Sequence, residues 1–280
     1  MLIVCLYNSL LATNFISLIA RESRVCRTRF ISTHSSLLPL NAMPTATMTT
    51  LSKTTIIPLN QSHPTASTLR SLYNRAARAF LLRDVVQTHS LFISAFAILA
   101  PPTSMTPDAL VAHRRKWDIL RITLETTVYS SPPPEIDKLP LELREILTMS
   151  PPLLIGKLHA RSLALFTPTS MPTPNSAYLP SQVLITLVLS SMKLDCPGVG
   201  RGLIEDWLAR RRQGDQVVGV DGDGEGYGKI LDVYCLHVLP RLEEWDYAKE
   251  FLEYEGELPS HTREVSTAIS YLFNHPLMSF

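Results

Sequence analysis

Apolar residues in the second half of the chain recur with helical spacing, and two consecutive stretches repeat the same arrangement. The first stretch covers residues 179–211 and the second covers residues 227–254. In each, a helix that is apolar on nearly all sides precedes a helix with a single apolar face. A helix that is apolar all round must be covered by neighbouring elements. The pattern therefore predicts helical hairpins that stack on one another.

The residues of the two stretches show how the arrangement is repeated. The apolar helix of the first stretch carries Val183, Leu184, Ile185, Leu187, Val188, Leu189 and Met192. The helix after it has an apolar face of Val199, Leu203, Ile204, Trp207 and Leu208, opposite Glu205, Asp206 and Arg210. In the second stretch, residues 230–239 are apolar nearly throughout, and we expect Pro240 to open the next helix. Its inward residues would be Leu242, Trp245, Ala248 and Leu252.

The upstream part of the chain also shows helical periodicity, from Ser67 onwards. The spacing predicts helices over residues 67–83, 85–99, 106–129, 141–149 and 151–166, and a last amphipathic helix over 260–273. Prolines separate most of these segments, where they end one helix or occupy the first turn of the next. No segment alternates with a period of two. The predicted fold is all-α, a single solenoid-like, TPR-like domain of stacked antiparallel helical hairpins with about ten helices.

A spaced set of residues in this half resembles a known family. The set comprises Leu179-Pro180, Val183-Leu184, Met192, Pro197-Gly198, Trp207-Leu208 and His237-Val238-Leu239-Pro240. It resembles the peroxisome assembly protein 26 family, whose members are tail-anchored docking factors for the peroxisomal AAA ATPases that recycle import receptors. The resemblance implies a non-catalytic adaptor at the cytosolic face of the peroxisomal membrane, with an AAA ATPase as its partner. It also implies that the contact lies in the earlier helices, residues 67–130.

The end of the chain departs from this family pattern. Family members carry a hydrophobic helix near the C-terminus, and a membrane-spanning helix needs about twenty apolar residues. Residues 262–280 instead include Arg263, Glu264, Asn274 and His275. Membrane association is therefore expected only through an anchor missing from this chain or through the apolar N-terminal segment.

Residues 1–66 allow more than one interpretation. Residues 1–20 are apolar, and Arg21, Arg24, Arg27 and Arg29 follow them, as in a signal anchor or a mitochondrial transit peptide. Met43 and Met48 offer later translation starts, and the Thr-, Ser- and Pro-rich segment after Met43 has little means of burying a core. The segment is thus disordered, a targeting sequence or untranslated. With a targeting sequence, the alternative function is a helical-repeat scaffold of mitochondria or the secretory pathway, and the alternative locations are cytoplasmic or mitochondrial.

Composition argues against several other classes of function. The chain of 280 residues has 26 Lys plus Arg and 25 Asp plus Glu, a net charge of +1, so no overall attraction to nucleic acid follows. Its four cysteines lack zinc-ligand spacing, which favours a reduced, cytosol-facing domain. No phosphate loop, nucleophile elbow or paired-histidine motif is present, so we expect no catalysis, no cofactor and no metal.

One acidic segment imitates a calcium loop, with Asp221, Asp223 and Glu225 at alternate positions and Gly226 at the sixth. Lys229 stands where such a loop needs a ligand or water. We therefore interpret residues 213–228 as a flexible acidic, Gly-rich insertion.

Arginine clusters suggest where a protein partner would bind. Arg210-Arg211-Arg212 ends a predicted helix, where cations stabilise the helix dipole, so it needs no partner. Within residues 67–130 the candidate protein-binding surface combines cationic side chains with an aromatic one, a favoured composition for interfaces. Its members are Arg75, Arg78, Arg114, Arg115 and Trp117. Trp117 also falls on the inward stripe of its helix with Leu110, Leu120 and Leu124.

Overall fold

The structure, a computed structural model, describes residues 62–104, 109–214 and 224–257. Within these ranges every regular element is helical, which confirms the all-α class. The α-helices are α1 (Ser62–Leu81), α2 (Val85–Phe96), α3 (Val111–Ser130), α4 (Leu141–Ile146), α5 (Pro151–Phe166), α6 (Ser181–Lys193), α7 (Pro197–Gly214), α8 (Gly224–Val233), α9 (Leu239–Arg241) and α10 (Trp245–Tyr254). Short 3₁₀ turns lie at Ile136–Lys138 and Ser176–Tyr178, and a π-helical turn, Tyr234–Val238, joins α8 to α9.

Several sequence predictions lie outside the described residues. They are the N-terminal segment as far as residue 61, the helix start at Thr106-Pro107-Asp108, the calcium-like acids Asp221 and Asp223, and the helix over 260–273.

Helix α6 lies at the centre of the described helices, as its apolar sequence requires. It contacts α3, α5, α7 and α8. Val183, Leu184, Leu187 and Val188 are each 0% exposed. Full burial of one such side chain stabilises the folded state by about 1.5 to 3 kcal/mol, so this helix is a main contributor to the core.

The contact between α6 and α7 depends on small residues. A Cβ placed on Gly200 would lie 2.4 Å from the Ser191 hydroxyl oxygen and 3.4 Å from a Val188 methyl group. That hydroxyl is itself held in place, since it donates to the Val188 carbonyl at 2.7 Å. Glycine is thus needed at position 200 because the two helices approach closely there, and not because of its backbone freedom.

Three helix-to-helix turns have the same backbone geometry. Arg83, Asp195 and Glu243 have φ values of 59°, 56° and 63°, the left-handed region that favours glycine. In each turn the amide of the next residue donates to the carbonyl five positions before it, at 2.9 to 3.0 Å. This is the hydrogen bond of a Schellman C-cap, which satisfies a carbonyl that the helix end leaves unpaired. The turns connect α1 to α2, α6 to α7 and α9 to α10.

An aromatic cluster joins α1 and α2 to α3. The Trp117 ring lies 5.5 Å from the Tyr73 ring and 5.9 Å from the Phe92 ring, measured between centroids, and both pairs are edge-to-face. Trp117 is 0% exposed. Edge-to-face pairs add about 0.5 to 1.5 kcal/mol beyond the burial of their area, so the cluster holds the first two helices firmly on the third.

Two buried carboxylates of α3 connect it to α5, one through a hydrogen bond and one through an ion pair. Asp118 accepts from Arg121 on its own helix at 2.6 Å and from the Ser162 hydroxyl of α5 at 2.6 Å. Arg161 of α5 donates both terminal nitrogens to the Glu125 carboxylate, at 2.8 and 2.7 Å. Two acids thus neutralise two arginines, which is the condition for burying such charges at tolerable cost.

Some predicted element boundaries are wrong. Helix α1 begins at Ser62, before the expected start at Ser67. Pro240 does not open the last helix; it lies in the first turn of α9, and the chain turns at Glu243 before α10 begins at Trp245. Helices also enter the expected 213–228 insertion from both sides, since α7 reaches Gly214 and α8 begins at Gly224. An ion pair from Glu225 to Lys229, at 2.5 Å, supports that first turn of α8.

Candidate protein-binding surface

Helices α1 and α2 expose large aliphatic side chains. Leu81 and Leu82, at the turn between the helices, are 63% and 74% exposed. Val86 and Ile93, two turns apart on α2, are 48% and 60% exposed. We call these four residues, together with Arg75 and Arg78, the α1–α2 surface.

The sequence explains why these side chains point outward. In α1 the fully buried residues include Leu69 and Ala76, with Tyr73, Ala77 and Ala79 beside them, and positions 81 and 82 lie outside this face of the helix. In α2 the buried row is Leu91, Phe92 and Ala95, which places Val86 and Ile93 on the other side. These four apolar residues therefore lie outside the helix faces that pack against the core.

The same two helices carry a local excess of positive charge. Residues 62–104 contain Arg70, Arg75, Arg78 and Arg83 but only one acid, Asp84. That carboxylate caps α2, where it accepts from the Gln87 amide at 2.9 Å. Arg75 and Arg78 are exposed and have no acidic partner among the described residues. Arg78 lies one helical turn before Leu82, which places a solvent-facing cation beside that apolar side chain.

The structure separates the five predicted binding residues into two groups. Arg75 and Arg78 are exposed, as a contact surface requires, and Arg115 is half-buried. Trp117 and Arg114 are not available for contact, since they are 0% and 2% exposed. Trp117 belongs to the aromatic cluster, so its inward assignment is confirmed and its assignment to a binding surface is wrong.

The burial of Arg114 has a tertiary cause. Its Nε donates to the Ala100 carbonyl at 2.8 Å, which fastens the segment after α2 to α3. Burial lowers the pKa of the Arg114 guanidinium from its ordinary value. Neighbouring arginines in the sequence suggested an exposed cationic face, and nothing in the local pattern indicated that a distant carbonyl would take one of them inside.

The aliphatic residues of this surface are not among the predicted binding residues. No binding role was predicted for Leu81, Leu82, Val86 or Ile93. Their positions off the buried rows were the available signal. An apolar residue that falls outside the stripe of its own helix is a candidate contact residue when several such residues occur together.

Other kinds of site have little support in the described part of the chain. No group of three or more His, Cys, Asp or Glu side chains is placed to hold a metal ion in residues 62–104, 109–214 and 224–257. In the same ranges, no helix combines the length and hydropathy that crossing a bilayer requires. Burial raises the pKa of the Cys235 thiol to about 12, aided by Asp232 and Glu255, so this cysteine is a poor nucleophile at neutral pH.

Comparison with known proteins adds no relative. No protein-family model matches this chain, and neither a curated protein nor a solved structure matches it.

Proposed function

We propose that this protein is a non-catalytic helical adaptor that binds a protein partner through the α1–α2 surface. The observation that carries the proposal is the set of exposed aliphatic residues, Leu81, Leu82, Val86 and Ile93, on the same two connected helices as the exposed Arg75 and Arg78. Monomeric proteins rarely expose several large apolar side chains on adjoining elements unless the patch binds something. An apolar centre with arginine at its border is also a typical composition for a protein interface.

The positive charge of the α1–α2 surface indicates the kind of partner that it favours. A cationic border favours a partner whose contact region is acidic, because complementary potentials speed association and exclude wrong partners. The resemblance to the peroxisome assembly protein 26 family suggests a peroxisomal AAA ATPase for this role. On that proposal the protein works at the cytosolic face of the peroxisomal membrane, in the recycling of import receptors.

We also propose that the helices form a solenoid-like stack of antiparallel hairpins. Two observations support this architecture. Three of the helix connections are Schellman turns of one geometry, at Arg83, Asp195 and Glu243. Helices that follow one another in the chain pack together, as α1 with α2 and α6 with α7 do, which is expected of hairpins in repeat proteins, and α3 packs in addition on α6. Small-angle scattering of the full chain tests this, because a stack gives a longer maximum dimension than a globule of equal mass.

A binding experiment with charge-reversed variants tests the adaptor function. The full chain is immobilised at moderate salt, and capture of the purified peroxisomal AAA ATPase is measured for the unmodified protein and for Arg75→Glu with Arg78→Glu. We expect the double variant to bind at least about tenfold more weakly, because both cations border the contact.

The matched control reverses two other exposed cations, Arg144 of α4 and Lys157 of α5, which lie outside the α1–α2 surface. Arg144→Glu with Lys157→Glu makes the same change in net charge and should retain binding. Equal loss in both double variants would mean that only net charge matters. No capture by the unmodified chain would remove the ATPase as partner.

A further inference from the structure

A pocket of about 270 Å³ lies along α10, away from the α1–α2 surface in sequence. Within the part of the chain that the structure describes, aromatic and acidic side chains line it. They are Tyr247, Glu250, Phe251, Tyr254 and Glu255. Its volume is below the roughly 300 to 1,000 Å³ of pockets for drug-sized molecules, so it suits a single side chain.

The aromatic side of this pocket follows from the spacing of α10. Positions 247, 251 and 254 fall on one face of a helix. The Tyr247 and Phe251 rings lie 6.5 Å apart at an angle of 49°, and Tyr234 packs edge-to-face on Phe251 at 5.4 Å from behind. Tyr254 is 82% exposed. The Tyr254 ring is thus open to an incoming group, whereas the Tyr247 ring already has the Arg201 guanidinium 5.4 Å from its centre.

The carboxylates give the pocket a negative potential. Glu250 is exposed and forms no ion pair among the described residues. Glu255 is fixed in place, since it accepts from the Tyr227 hydroxyl at 2.6 Å and from the Glu257 amide at 2.6 Å. Residues 241–257 contain seven acids and two bases, and Arg201 and Arg211 of α7 pair with two of these acids, Glu244 and Glu257. The pocket therefore favours a cation over any anionic or neutral group.

The surrounding residues already bind guanidinium groups of this chain in the same manner. The Arg211 guanidinium lies 3.7 Å from the centre of the Tyr227 ring and pairs with Glu257. The Arg201 guanidinium lies 5.4 Å from the Tyr247 ring centre, and it pairs with Glu205 at 2.7 Å and with Glu244. In both cases one aromatic face and at least one carboxylate hold one arginine.

From this chemistry we propose that the α10 pocket binds an arginine side chain of a basic segment in a partner protein. Arginine fits better than lysine because its planar guanidinium stacks on rings while it donates to carboxylates in the ring plane. This second contact is independent of the α1–α2 surface, which favours an acidic partner region.

Calorimetric titration of the full chain tests the proposal. The probes are three Gly-Ser nonapeptides, which carry arginine, lysine or citrulline at the same three positions. Citrulline keeps the shape of arginine and removes its charge. The arginine peptide should bind most tightly, the lysine peptide more weakly, and the citrulline peptide should give no binding heat.

Variants on α10 locate the site. Glu250→Gln and Tyr254→Ala should each weaken the arginine peptide by about fivefold. Glu253→Gln is the matched control, since Glu253 lies on the same helix but outside the pocket and pairs with Lys249 at 3.8 Å. It makes the same change in charge as Glu250→Gln and should leave affinity unchanged.

Three results would overturn the proposal: equal weakening by Glu253→Gln and Glu250→Gln, equal binding of the arginine and citrulline peptides, or no heat from any peptide. Arg75→Glu with Arg78→Glu should not weaken peptide binding. Failure here and failure of the α1–α2 surface are therefore separate outcomes.

Discussion

The first and last parts of the described chain differ in charge and in exposed side chains. Residues 62–104 have four arginines against one acid and expose aliphatic residues, whereas residues 241–257 have seven acids against two bases and expose tyrosines. The net charge of +1 for the whole chain conceals both regions. The absence of an overall attraction to charged partners therefore does not exclude local electrostatic recognition, and the two regions should favour partners of opposite charge.

The largest effect is expected where the basic region packs on the rest of the molecule. Trp117→Ala should lower the free energy of unfolding by about 3 to 5 kcal/mol, because a fully buried indole leaves a cavity between α1, α2 and α3. Trp245→Ala in the acidic region should cost clearly less, since Trp245 is half-buried. Urea unfolding of both variants provides the measurement. Equal costs would mean that the two regions are packed alike.

Trp245 was expected on the inward face of its helix, and it is half-buried. A comparison of this region with α5 shows what the sequence pattern was able to predict. Where helical spacing agreed with the turn residues around it, the boundaries are right: α5 runs from Pro151 to Phe166, between Ser150 and the proline-rich loop. Near Pro240 the pattern was ambiguous, because Leu239 and Leu242 fit either one interrupted helix or two. The chain continues through a π-helical turn and breaks at Glu243, which periodicity alone does not reveal.

For the candidate surface, exposure was more predictable than burial. Arg75 and Arg78 lie off the apolar stripe of α1, and the same argument was available for Leu81 and Leu82. Arg114 was mispredicted because its partner, the Ala100 carbonyl, lies fourteen positions away in the chain and comes close only through folding. Such tertiary hydrogen bonds have no signature in the local sequence.

The next largest effect concerns the helices that lead into the acidic region. Gly200→Ala should destabilise the protein by about 1 to 3 kcal/mol, since its new methyl group overlaps the Ser191 hydroxyl. Gly202→Ala is the control on the same helix, where a Cβ meets nothing within 4 Å. That variant should be stabilising by about 0.5 to 1 kcal/mol through helix propensity. Thermal unfolding of both variants is the measurement. If both substitutions changed the stability in the same direction, the close approach of α6 and α7 at Gly200 would be contradicted.

A smaller effect should appear at high pH in the basic region. Burial raises the pKa of the Tyr73 phenol to about 12, and no hydrogen-bond partner of its hydroxyl is found in the described chain. A pKa that is higher in the folded state destabilises folding only at high pH. The folded state keeps its full stability below the ordinary tyrosine pKa of about 10 and loses part of it as the pH rises towards 12. Tyr73→Phe should remove this part of the pH dependence and raise stability at neutral pH by about 1 kcal/mol.

Urea unfolding of Tyr73→Phe at several pH values between neutral and 12 checks this. The variant should keep the pH dependence that comes from Cys235, since burial also raises the pKa of that thiol to about 12. If the free energy of unfolding of Tyr73→Phe fell with pH as steeply as that of the unmodified chain, the Tyr73 phenol would titrate as in water.

The smallest effect should be common to both regions. Arg83→Gly and Glu243→Gly each place glycine at a left-handed turn position, where it avoids a strain of about 1 kcal/mol. We expect both variants to be more stable by about 0.5 to 1 kcal/mol, measured by thermal unfolding. A gain in only one of them would indicate that the two turns differ in geometry.

The most direct test of the adaptor function is the affinity of the AAA ATPase for two aspartate variants. Ile93 of α2 and Leu153 of α5 are both 60% exposed, but only Ile93 belongs to the α1–α2 surface. Ile93→Asp should weaken binding about tenfold or more, whereas Leu153→Asp should stay within about twofold of the unmodified chain. Equal affinities for the two variants, with both still folded, would contradict the assignment of the α1–α2 surface as the contact.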